Sequence, residues 1–148
     1  MAMPTGTLDR KGRVCIPANY RHILAAQNTS GVYVRKALLT PSLECFGSNV
    51  MQTFQDAQTE NDPFFTSAHD TTAFALLSLS QELAIDETGR VRLPDDFIAH
   101  AGLVENIIFV GMGRKFEIWD GVRYAPVLQE RLAAAQALLK SQQQVVKR

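Results

Sequence analysis

A stretch of ten residues is written twice in this chain, and that repetition constrains its fold more than anything else in the sequence. Leu8-Asp9-Arg10-Lys11-Gly12-Arg13-Val14-Cys15-Ile16-Pro17 returns 77 residues later as Ile85-Asp86-Glu87-Thr88-Gly89-Arg90-Val91-Arg92-Leu93-Pro94. Seven of the ten positions agree in kind. The pattern has a local physical reading. A strand ends at an aspartate whose short carboxylate bonds the amides of the following turn. Glycine supplies the positive φ of a tight reversal. The returning strand alternates outward arginine with inward valine, and proline ends it where a helix starts.

The echo extends beyond the motif. The helical stretch from Ala18 to Ala26 matches Asp95 to Ala101. Val32-Tyr33-Val34 then matches Ile107-Ile108-Phe109, and Leu43-Glu44-Cys45-Phe46 matches Phe116-Glu117-Ile118-Trp119. The offset shrinks from 77 to 75 to 73, so the first copy has the longer loops. Each copy reads strand, turn, strand, helix, strand, loop, strand, as an internal duplication does. Near the start, Pro4 and Gly6 weaken any strand.

Four segments follow: a first half at 1–47, a helical connector at 48–82, a second half at 83–120, and a C-terminal helix with tail at 121–148. In the connector, Ser48 or Asn49 caps a helix with the face Val50, Phe54 and Ala57. Asn61-Asp62-Pro63 breaks it, and Asp70 caps a second helix carrying Phe74, Leu77 and Leu79. Asn19 to Ala26 puts Tyr20, Ile23 and Leu24 on one helical face with Arg21 outward, and Asn28-Thr29-Ser30-Gly31 closes this helix of the first half. Pro126 places the start of the last helix near Ala125. Leu128, Leu132, Ala135 and Leu139 form a packing stripe along it, and the polar residues 141–148 are expected to fray.

The chain has no net charge, yet its charge is unevenly placed. Residues 1–40 carry a net +5, residues 41–100 a net −8 and residues 101–148 a net +3. Opposed faces follow from such asymmetry. Arg10, Lys11 and Arg13 surround Gly12 at the first hairpin tip, where they can reach phosphates while a β-ribbon presents arginine to guanine edges. Arg13 leads this candidate set. A plain solvated turn, with Asp9 and Arg13 paired across it, accounts for the same residues. The second tip keeps Arg90 and Arg92 but adds Glu87, with Asp95-Asp96 nearby. There an Asp86–Arg90 staple is favoured, so the first hairpin is expected to set most of any salt dependence. Asp9, Gly12, Asp86 and Gly89 shape the loops.

Nothing assembles into a catalytic set. His22, His69 and His100 lie in separate elements, without cysteine or carboxylate at metal-ligand spacing. Gly111-Met112-Gly113 lacks the third glycine of a dinucleotide fingerprint and leads into a strand, so it is a turn. Trp119 closes an apolar strand and belongs to a core or interface. Cys15 and Cys45 lack a redox or metal spacing and are expected as buried, reduced thiols in a cytoplasmic protein. No apolar run reaches the ~18 residues of a membrane span, and residues 1–7 have no secretory pattern. No enzyme activity, cofactor, metal or small-molecule substrate is expected.

Leu8 to Arg21, Asp86 to Arg90 and Gly111 to Trp119 together resemble the MraZ family of bacterial transcriptional regulators. The resemblance implies a β-rich α+β fold, an AbrB-like double-split β-barrel made of two pseudo-symmetric swapped-hairpin halves with peripheral helices. It implies a sequence-specific DNA-binding regulator, a repressor of the division and cell-wall gene cluster, associated with the nucleoid. It also implies ring-like homo-oligomers that grip promoter repeats in double-stranded DNA through the Asp-x-x-Gly-Arg hairpin loops, with avidity across subunits. By the same resemblance Arg13, Lys11 and Arg10 lie on the family's DNA-binding motif, and Arg90 and Arg92 are the candidates of the second copy. An antitoxin-like module and a purely structural self-assembling protein are the alternatives. The periodic C-terminal helix argues against the first, and the basic hairpin against the second.

Overall fold

The computed structural model describes residues 3–26, 31–52 and 67–146. Eight strands and four labelled helices alternate along them. β1 (Thr5–Thr7), β2 (Arg13–Cys15), α1 (Ala18–Ala26), β3 (Gly31–Lys36) and β4 (Leu43–Phe46) come first. A helical turn at 48–52 leads out of β4. α2 (Ser67–Ala73) continues into a π-helical turn at Phe74–Ser78. β5 (Gln81–Ala84), β6 (Arg90–Arg92), α3 (Asp95–Ala101), β7 (Asn106–Gly111), β8 (Lys115–Asp120) and α4 (Gly121–Val146) complete the order.

The fold is mixed α+β and rich in antiparallel strands. Hydrogen bonding joins six of them in the order β1-β7-β8-β4-β3-β5, and β2 pairs with β6 as a separate ribbon. The repeats exchange strands. Thr5 of β1 faces Ile108 of β7, while Glu82 of β5 faces Tyr33 of β3. These are the same register at the offsets of 77 and 75 read from the sequence. The repeats meet at β4 and β8, where Glu44 lies opposite Glu117.

Alternation places the core where the pattern requires it. Val14 and Val91 point down from the ribbon and are each 1 % exposed. They join Ile16, Leu93, Val32, Val34, Phe109 and Ile118 in one cluster. Tyr20 stacks on Phe116 with ring centroids 4.7 Å apart. A second, smaller cluster of Val110, Trp119 and Tyr124 lies beneath α4. Trp119 is fully buried, and its indole N–H donates to Glu117 Oε1 at 2.9 Å. Arg131 holds the same carboxylate from α4 at 2.7 Å. A buried glutamate is tolerated because its oxygens are met by donors.

Several expectations are corrected. β1 forms despite Pro4 and Gly6. Leu8 N donates to Glu105 O, and Phe109 N donates to Pro4 O. Gly6 is an advantage there, since a Cβ would come within 3.2 Å of the Phe109 ring. α4 starts at Gly121 rather than near Ala125, because Asp120 Oδ2 accepts from the amides of Val122 and Arg123. That is an N-cap, and the extra turn buries Tyr124 against Trp119. α4 runs to Val146, so the polar residues 141–146 continue the helix, and 147–148 lie outside the described residues. Asp70 sits inside the first turn of α2 rather than capping it. Phe74 is largely exposed, as is Ile23 on the expected apolar face of α1. Cys45 is buried, but Cys15 is exposed because it occupies an outward position of the ribbon. The expectations for Phe54, Ala57, Asn61-Asp62-Pro63 and Asn28-Thr29-Ser30 lie outside the described residues.

Candidate nucleic-acid interface

Both hairpins are built alike. In the first, Asp9 Oδ1 accepts from the amides of Lys11 at 2.9 Å and Arg13 at 2.8 Å. Gly12 N donates back to Asp9 O at 3.1 Å, and Gly12 takes φ 78°. In the second, Asp86 Oδ1 accepts from the amides of Thr88 and Arg90, each at 2.9 Å, and Gly89 takes φ 83°. The Arg13 amide, followed by its side chain and the Lys11 amide, holds the Asp9 carboxyl below its usual range against the effect of desolvation. The Arg90 amide and the Thr88 hydroxyl do the same for Asp86. An aspartate three residues before a glycine is therefore the fold's way of fixing each tip.

The side chains differ. Arg13 Nε donates to Asp9 Oδ2 at 2.8 Å, so the pairing across the first turn does form. It orients Arg13 through Nε and leaves the terminal fork unused by Asp9. In the second hairpin the Asp86–Arg90 staple does not form. Thr88 Oγ1 takes the carboxylate instead, at 2.7 Å, and Arg90 is exposed. Arg10 and Lys11 are exposed at the first tip.

Strand pairing brings the two motifs onto one surface. Arg13 faces Arg92, Val14 faces Val91, and Cys15 faces Arg90. With both valines in the core, the outer face of the ribbon presents three arginines and a thiol. Like charges directly opposite each other destabilise a sheet, so the Arg13/Arg92 pairing is a local cost, lessened by the Asp9 carboxylate on Arg13. The hairpins also lock each other. Ile16 N donates to Gly89 O and Leu93 N to Gly12 O, both at 2.9 Å.

The second half matches a family model described as "MraZ protein, putative antitoxin-like", over residues 76–145. A protein of Xanthobacter autotrophicus named transcriptional regulator MraZ is 40 % identical over 85 % of this chain and 80 % of its own length. The chain belongs to the MraZ family. Bearers of the same name from Azorhizobium caulinodans and Parvibaculum lavamentivorans are 35 % and 36 % identical. The first covers 93 % of this chain and 87 % of its own length, the second 94 % and 88 %. Among the described residues no group of histidine, cysteine and carboxylate side chains is placed to hold a metal. No helix there is long and apolar enough to cross a membrane.

One residue of this MraZ chain escaped the sequence reading as a site residue. Arg21 was expected to point outward from α1. It is half-buried, donates from Nε to Ile16 O at 3.0 Å, and lies over the second hairpin at Gly89. The signal was present, since Arg21 closes the motif that begins at Leu8. Nothing in the sequence placed it on the other repeat's hairpin.

Proposed function

We propose that this chain is a sequence-specific DNA-binding transcriptional regulator that represses the division and cell-wall gene cluster. It binds promoter repeats as a ring-like homo-oligomer, through the hairpins of both repeats. The single observation that carries the reading is the β2–β6 ribbon, whose outer face sets Arg13 opposite Arg92 and Arg90 opposite Cys15. A two-stranded ribbon fits the major groove, where arginine reads guanine edges and neighbouring cations meet phosphates. Arg10 and Lys11 extend the charge at the first tip. The names of the relatives support the same reading. The exchange of β1 and β5 between repeats supports a double-split barrel divided at 1–47, 48–82, 83–120 and 121–148.

The ribbon register alters the balance between the hairpins. Charge counted along the sequence favours the first hairpin. Arg90 has no ion pair with Asp86, and Arg92 stands beside Arg13, so both hairpins contribute to one surface. Fluorescence anisotropy of a duplex from the chain's own upstream region tests the assignment. Arg13→Ala should weaken binding by about ten-fold or more, as loss of a charge-assisted contact does, with circular dichroism unchanged. Unchanged affinity in a folded variant would remove the ribbon from the interface.

A further inference from the structure

The two hairpins receive unequal company from the helices. Each helix of one repeat lies over the hairpin of the other. A Cβ at Gly12 would meet Ile98 Cδ1 of α3 at 3.3 Å, whereas a Cβ at Gly89 would meet the Arg21 guanidinium of α1 at 2.8 Å. Ile98 and Arg21 occupy equivalent places at the offset of 77. The hairpin whose own tip is acidic, at Glu87, thus has a cation brought to it by the other repeat.

Arg21 does not stand alone. Arg13, Arg21 and Arg90, from three different elements, line one open groove of about 320 Å³. The groove also holds the carboxylate of Asp9, already engaged by Arg13, and the exposed Thr5 and Thr7 of β1. Three guanidinium groups against one carboxylate leave a surplus of two positive charges. Guanidinium is the side chain best shaped for phosphate oxygens. Arg21 Nε is fixed on Ile16 O, which holds the plane of the guanidinium in place before any ligand arrives.

We propose that Arg13, Arg21 and Arg90 form a composite phosphate site that takes a DNA backbone phosphate. Arg21 adds a cation to the second hairpin tip, which has Glu87 and Thr88 where the first has Arg10 and Lys11. This rests on the DNA-binding reading above and deepens it. A phosphate contact fixes register on the duplex and is blind to base sequence. Its loss weakens binding to any duplex and lowers the salt slope by about 0.9 per contact.

The test uses the full-length chain and a short duplex of random sequence, with affinity measured across a salt series. Arg21→Gln should lower the steepness of log affinity against log salt by about 0.9, while Arg21→Lys, which keeps the charge, should restore most of it. Thr7→Glu places a carboxylate in the groove from an exposed strand without touching the Arg21–Ile16 bond, and it should weaken binding as well. That variant keeps the test open should Arg21→Gln fail to fold. Unchanged affinity and slope in Thr7→Glu and the folded Arg21 variants, with Arg13→Ala still impaired, would overturn this inference alone. Absence of salt-dependent binding by the wild-type chain would overturn the reading beneath it. A separate arm adds inorganic phosphate without DNA. Thermal stabilisation by phosphate that Arg21→Gln abolishes, with an unchanged DNA slope, would assign the groove to a free anion and overturn the DNA contact.

Discussion

Gly12 and Gly89 occupy the same place in the repeated motif, yet their replacement by alanine should not cost the same. Both have φ near +80°, where a Cβ costs about 1–2 kcal/mol. At Gly12 the new methyl meets the end of the Ile98 side chain at 3.3 Å, which a small shift relieves, and Leu93 O at 3.6 Å, an ordinary contact. At Gly89 it meets the Arg21 guanidinium at 2.8 Å. Arg21 must then move, and its hydrogen bond to Ile16 O goes with it, a further loss of about 0.5–1.5 kcal/mol. At about 3 °C per kcal/mol for a chain of this size, Gly12→Ala should lower Tm by roughly 5 °C and Gly89→Ala by roughly 8 °C. Thermal unfolding followed by circular dichroism at fixed protein concentration measures both. A double-mutant cycle isolates the cause. In an Arg21→Ala background the cost of Gly89→Ala should fall to that of Gly12→Ala. Equal costs in the wild-type background, or a cycle with no coupling, would refute the placement of Arg21 over the second hairpin.

Leu132 and Leu139 are 47 % and 59 % exposed on α4, beyond the part of the helix that packs on Trp119. If that stripe packs on a neighbouring subunit, Leu132→Glu should shift the assembly to smaller species in light scattering, and a monomeric wild-type chain would remove the avidity argument. The carboxyls of Asp9 and Asp86 are held below their usual range in the folded chain. A depressed folded value contributes stability that is present above the unfolded value and is lost as pH falls through the folded one. The double variant Asp9→Asn, Asp86→Asn should therefore flatten the acid limb of Tm against pH below the ordinary aspartate value of 3.8. An acid limb as steep as that of the wild type would contradict the loop geometry.

Local chemistry was legible in the sequence, and long-range placement was not. The Asp-x-x-Gly-Arg spacing dictates a loop in which carboxylate and glycine each have one task, and both loops form in that way. Alternation put Val14 and Val91 in the core and arginine outside. What the spacing could not show was which chain segment each hairpin would meet. Arg21 reaches across to Gly89, and Thr88 takes the Asp86 carboxylate that Arg90 was expected to hold. The first depends on strand exchange, which places residues 68 positions apart in contact. The second is a choice between two donors within one turn, where the short Thr88 hydroxyl takes the carboxylate. Pro126 misled for a different reason. Proline favours the first turn of a helix, but the Asp120 carboxylate caps the chain ahead of it and starts the helix one turn earlier.

The central claim is that the hairpins of both repeats make one DNA-reading surface. The salt dependence of duplex binding tests it most directly, because counterion release counts the cations engaged. The comparison is between Lys11→Ala with Arg13→Ala and Arg90→Ala with Arg92→Ala, each confirmed as folded by circular dichroism. Both pairs should flatten the plot of log affinity against log salt, by about one to two in slope at ~0.9 per phosphate contact. With no Asp86–Arg90 ion pair to lose, the second pair should leave Tm close to wild type. A second pair that leaves the slope intact while the first flattens it would confine DNA contact to the first hairpin and contradict the shared surface.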